Sequence, residues 1–135
     1  MSADAPNDQS ALLDPFDLPE WLASSRVVWE ALESVAGQTV AQGVLRCIDG
    51  DAEPLRLDAV AVDAAWPTAP CSPTDRRAAH QAWHFGQVVL LDRASVPALG
   101  VPTASFSADL TLEALRRFAK AVGSDPWRFA AHLLL

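Results

Sequence analysis

Leu18, Trp21, Leu22, Ser25, Val28, Trp29, Leu32 and Val35 recur at three- and four-residue intervals, the spacing that gathers side chains on one helical face. Asp17 and Glu20 form an Asp-x-x-Glu variant of the capping box, and Phe16 and Trp21 stand at the spacing of a hydrophobic staple. Gly37 supplies a left-handed stop. The pattern predicts a long helix between Asp17 and Gly37, with its apolar stripe packed on a sheet.

From residue 38 the period shortens. Thr39, Val40, Val44 and Ile48 alternate loosely with Gln42 and Arg46, and Asp49-Gly50 is a hairpin signal. Residues 38–48 and a run beginning at Leu55 therefore read as paired strands. In the second, Leu55 and Leu57 have the opposite parity to Val60 and Val62. That shift places a bulge, or a strand buried on both faces, near Asp58.

Ser72, Pro73 and Asp75 then open a helix that Gly86 ends. The continuous run Val88-Val89-Leu90-Leu91 marks a central strand, here residues 87–92. Residues 96–101 read as another strand, pushed to an edge by Pro97 and Pro102. Leu110, Thr111 and Leu115 read as staple and cap of a last long helix with the buried stripe Leu112, Leu115, Phe118, Ala119 and Val122, stopped at Gly123. Alternation of Phe129, Ala131, Leu133 and Leu135 predicts a final strand over residues 127–135. The expected class is α+β: a single domain with a mostly antiparallel sheet of about five strands, two long helices and one shorter helix.

Composition sets the bounds of that domain. Residues 1–14 are small, polar and acidic without an amphipathic period, and read as a disordered acidic tail; residues 15–135 carry the core. The net charge is −7, with a single lysine, Lys120. Such a balance disfavours a phosphate backbone or an anionic membrane as partner. No apolar run approaches the roughly 20 residues of a membrane span, and the N-terminus lacks the basic and apolar regions of a signal peptide. A cytoplasmic protein is expected, with Cys47 and Cys71 as free thiols.

Candidate chemistry is sparse. The six glycines all serve turns, helix ends or strand interruptions, which leaves none for a phosphate-binding loop. His80 and His84 share a helix face and have the spacing of zinc ligands. A zinc protease also needs a glutamate base where this chain has Gln81, which cannot accept a proton. With Cys71, and at a stretch Cys47, the histidines form a weak ligand set, without a Cys-x-x-Cys unit and with Arg76 and Arg77 close by. Cys71 near a helix N-terminus is also where a thiolate is stabilised, with His80 as its base. Asp58 and Asp63 fall on opposite faces of a strand, and His132 reads as a packed or edge residue.

The loop from Trp66 to Pro73 spaces three prolines at three-residue intervals beside an aromatic, which presents a stiff apolar contact surface. Trp66, Pro67 and Pro70 are its candidate protein contacts. The leading expectation is a non-catalytic protein-binding, adaptor or chaperone-like domain without a cofactor, acting on a protein of unknown identity and compatible with a homodimer. The alternative is a small enzyme or ligand-binding domain with a thiol and histidine site, zinc included, at Cys71, His80 and His84.

Overall fold

Pro19 sets where the first helix can start. A residue before proline is driven out of the helical region, and Leu18 is extended at φ −86° and ψ 161°. The computed structural model, which describes residues 11–62 and 73–135, has no long helix between Asp17 and Gly37: Pro19 moves the helix start to Trp21, and Ser25, extended at φ −102° and ψ 164°, ends it after one turn. Pro15–Asp17 form a 3-10 turn capped by Asp14, whose carboxylate accepts the Phe16 N–H at 2.9 Å. Helix α1 (Trp21–Ser24) is one turn long, and Glu20 caps it without a side-chain hydrogen bond. The chain then enters strand β2 (Val27–Ser34). Val27 and Trp29 are buried while Val28 and Glu30 are half-exposed, a period of two that the helical spacing hid. Pairing on both sides of β2 outweighs local propensity.

The remaining strands are β1 (Ala11–Leu13), β3 (Val40–Ala41), β4 (Gly43–Cys47), β5 (Leu55–Arg56), β6 (Asp58–Ala61), β7 (Val89–Arg93), β8 (Val96–Val101) and β9 (Phe129–Leu134); the longer helices are α2 (Pro73–His84) and α3 (Ala108–Ala121). They build an α+β structure with two sheets in place of the single one expected, ordered β1-β7-β8-β6-β3 and β5-β4-β2-β9. Both sheets are mixed, because β6 pairs with β8 and β2 with β9 in parallel. Ala79 and Ala82 of α2 cover one face of the first sheet over Val60, Val89, Leu91 and Ala98. Its other face shares the main core with the second sheet and α3, through Trp29, Leu45, Leu57, Leu99, Leu115 and Phe118. Among the described residues no helix is long and apolar enough to cross a membrane.

Three further expectations are corrected. β8 is interior, between β7 and β6; its pairing with β6 starts only at Ala98, so Pro97 faces β7 alone and its missing N–H costs no ladder bond on that side. Residues 11–13, assigned above to the tail, pair with β7 as β1. Ser107, not Thr111, caps α3 by accepting the Leu110 N–H; Thr111 is buried, and Ala114 joins the buried stripe in place of the exposed Leu112.

The two sheets are joined by one bent hairpin. Its ends, β3 and β6, pair in the first sheet, while β4 and β5 pair in the second. The change of sheet between Arg56 and Asp58 is what the shift in parity near Asp58 marks. At the bend the buried Trp29 indole donates to the Leu57 carbonyl at 2.8 Å, and the Leu57 N–H donates to the Gly43 carbonyl at 3.0 Å. A Cβ on Gly43 would overlap that indole. Asp58, 5% exposed, accepts the Gly43 N–H at 3.3 Å and pairs with Arg56 at 2.7 Å and Arg93 at 3.9 Å.

Asp49-Gly50 is not a tight hairpin turn, since residues 48–54 separate β4 from β5. Asp49 instead reaches back to the start of β2, accepting from the Arg26 N–H and Nε at 2.9 Å each. Those bonds, side chain first and then backbone, hold its carboxyl below the ordinary carboxylate range.

Gly43→Ala is expected to destabilise by about 2–3 kcal/mol, the cost of overpacking a filled site, read as a lower urea midpoint at unchanged slope. Combined with Trp29→Leu the cost should shrink by about 1 kcal/mol or more, because the added methyl then meets a shorter side chain. Equal costs in both backgrounds would separate the glycine from the tryptophan. For Asp49, a folded pKa below the unfolded value of about 3.9 means that the Arg26 bridge contributes fully above that value and fades as pH falls through the folded pKa. Carboxyl-carbon NMR should place the Asp49 midpoint below about 3.9, and Arg26→Ala should raise it.

Candidate functional site

Trp66, Pro67, Pro70 and Cys71 lie outside the described residues, so the proline loop and the thiol have no geometry to weigh. His80 and His84 are both exposed on α2, on the side away from Ala79, which packs on the sheet. The His84 ring lies edge-on to Phe85, with centroids 5.2 Å apart. Among the described residues, no three His, Cys, Asp or Glu side chains stand together in a group able to hold a metal ion. Asp58 is committed to the bend between the sheets. Cys47 is a half-buried free thiol at the end of β4.

The two arginines of α3 are engaged locally. Glu113 binds Arg116 and Arg117 at 2.9 Å each. Arg117 also donates to the Trp83 carbonyl at 2.6 Å and stacks 3.9 Å over the Trp83 ring, which ties α3 to α2.

What residue-by-residue reading missed is a sheet edge. Among the described residues the two sheets have four edge strands, of which β3 and β5 cover two residues and β1 three. Edges that short offer little to pair with. β9, at the fourth edge, is six residues long, and among the described residues its one strand neighbour is β2. Its sequence Phe-Ala-Ala-His-Leu-Leu has no proline, no carboxylate, no lysine and no arginine. Those are the devices that normally blunt an edge.

Two features make this edge more than an unpaired backbone. Phe118 of α3 meets Phe129 edge-on at 5.8 Å, which fixes the start of β9 against the helix. Beside the strand, between it and α3, runs an open groove of about 420 Å³ lined by Leu112, Leu115, Arg116, Pro126 and residues 129–131. On the solvent face the register sets Val28 beside Ala130 and Glu30 beside His132, with Leu134 46% exposed further along. The Glu30–Arg46 ion pair neutralises the middle of that face. Alongside the outward backbone groups of β9 lie, on one side, a shallow groove of mixed polarity with Arg116 in its wall and, on the other, a near-neutral sheet face.

The alternation of Phe129, Ala131 and Leu133 announces the strand, and the lack of charge along it is visible in the sequence. That the strand is an edge is set by the parallel pairing with β2, about 100 residues away in the chain, which no local pattern encodes. Comparison with protein-family models, with curated proteins and with solved structures found no match.

Proposed function

We propose that the protein is a non-catalytic protein-binding domain, adaptor or chaperone-like in kind, which takes an extended segment of a partner protein onto β9. The observation that carries this reading is the six-residue uncharged edge with a groove beside it. Adding a strand supplies main-chain hydrogen bonds for affinity, and alternate side chains dropping beside the edge supply selectivity. Leu112, 42% exposed on α3, gives the groove an apolar wall where a side chain of the incoming strand is sheltered. A second copy pairing β9 to β9 would use the same edge, but two chains of net charge −7 repel one another. The occupant favoured here is a segment of a different protein.

Peptides selected from a random display library against the full chain provide the test. Selected peptides should bind in extended form and slow hydrogen exchange of the β9 amides that point away from β2. His132→Lys and Leu134→Lys, both at exposed positions, should weaken binding by about tenfold or more without lowering thermal stability. Binding that leaves the β9 amides unprotected, or that survives both lysines, would remove the reading. Sedimentation at rising concentration identifies the second-copy case by a dimer that the same lysines abolish.

A further inference from the structure

Asp14-Pro15-Phe16-Asp17-Leu18-Pro19-Glu20 presents an aromatic ring on a stiff support. Two prolines fix φ at either side of the segment. Asp14 accepts the Phe16 N–H, the Leu18 N–H donates to Pro15 at 3.2 Å, and the N–H groups of Leu22 and Ala23 donate to Pro19 and Glu20 at 3.2 and 3.0 Å. Held by these bonds, Phe16 is 92% exposed, the most exposed of the large apolar side chains among the described residues. An aromatic ring left in water on a rigid backbone is available for contact at low entropic cost.

Two grooves meet under this segment at Leu18 and Pro19. One, of about 830 Å³, runs from Pro15 and Phe16 past Ala23 to Val122. The other, of about 690 Å³, runs past Leu13 to Leu55 and Pro97. Their polar lining has one sign of charge: Glu20 in the first, Asp17 and Asp92 in the second, and no Lys, Arg or His in either. Asp92 is engaged with the Ser95 N–H. Among the described residues Asp17 and Glu20 have neither a hydrogen bond nor an ion pair through their side chains.

We propose that this band is a docking site for a second protein segment, one that carries bulky apolar residues interleaved with lysine or arginine. The apolar floor and Phe16 select the apolar residues, and the unpaired carboxylates select the cations. The same charges decide against other occupants. Nucleic acid and anionic membranes bring phosphates against Asp17 and Glu20, and a second copy brings its own carboxylates. The site shares no residue with the β9 edge and stands independently of it.

Three fluorescent peptides with one pattern of leucine and phenylalanine, interleaved with lysine, glutamate or serine, provide the probe. The lysine peptide should bind the full chain and shift the NMR signals of residues 16–23 and 122–123. Its affinity should fall several-fold as salt rises from about 50 to about 300 mM, where the screening length shortens from about 14 to about 6 Å. The serine peptide should bind more weakly and the glutamate peptide not at all. Phe16→Ala should cost about tenfold or more in affinity, and Glu20→Lys should abolish the preference for lysine over glutamate. Both positions are exposed, so unchanged thermal midpoints separate lost contact from lost folding. Failure of the lysine peptide to bind, equal binding of all three, shifts confined to other surfaces, or binding to anionic vesicles that Phe16→Ala reduces would each overturn the proposal.

Discussion

The Trp29 indole occupies the space that a side chain on Gly43 would need, and the two sheets depend on that exchange. Where the bent hairpin changes sheet, its arms leave one ladder before entering the next, and backbone groups at the bend lose regular partners. A buried carbonyl without a partner is costly. Trp29 supplies the bond to the Leu57 carbonyl and fills the corner with one large apolar group. Asp58 completes the corner by accepting the Gly43 N–H and holding Arg56 and Arg93, which come from β5 and β7. Strands of both sheets thus converge on a few atoms. Removing the Asp58 carboxylate would leave two arginines beside the core without their shared partner, so the ion pairs matter more here than at an exposed site.

Once the corner fixes the second sheet over the first, α3 can fill the space between them with Ala114, Leu115 and Phe118. The same helix seats β9, because Phe118 and Phe129 meet edge-on. The position of the exposed edge is therefore a consequence of core packing. β9 is held by β2 on one side and α3 beneath, and both supports lead back to the Trp29 corner, since Trp29 lies in β2 opposite Ala131 of β9 and Leu45 of β4. If the edge takes a partner strand as proposed, an edge supported on two sides in this way lowers the cost of adding it.

Some local signals match the structure, whereas the capping box at Asp17, the cap at Thr111 and the turn at Asp49-Gly50 do not. Gly86 and Gly123 end their helices at φ +77° and +81°, and the run through Leu91 is an interior strand buried on both faces. Signals that two structures can share were misread. Val27 to Ser34 satisfies a helical stripe and a strand alternation together, and only pairing with β4 and β9 decides between them. Pro19 excludes only Leu18 from the helix, and nothing local marks the extended Ser25 that ends it. The parity shift at Asp58 was real, but it marked a change of sheet. The turn between β7 and β8 had no signal at all: Ala94-Ser95 holds φ of 52° and 71° in a position that usually takes asparagine or glycine, helped by the Asp92 bond to the Ser95 N–H. Phe16 is visible in the sequence as a staple candidate, yet its exposure follows from the staple's failure to form.

The acidity of the chain gains a structural meaning from these surfaces. An open, uncharged six-residue edge is a template for association between copies, and β9 has no lysine or proline to prevent it. A charge of −7 on a small chain opposes the approach of a second copy. That repulsion acts over about a Debye length and weakens with salt, whereas a partner's strand, once paired, is held by short-range backbone bonds that salt does not screen. The same charge opposes a second copy and, under the docking proposed for the Phe16 band, favours the approach of cationic segments. Long-range electrostatics would thus choose which chains approach, and backbone geometry at β9 which segment stays.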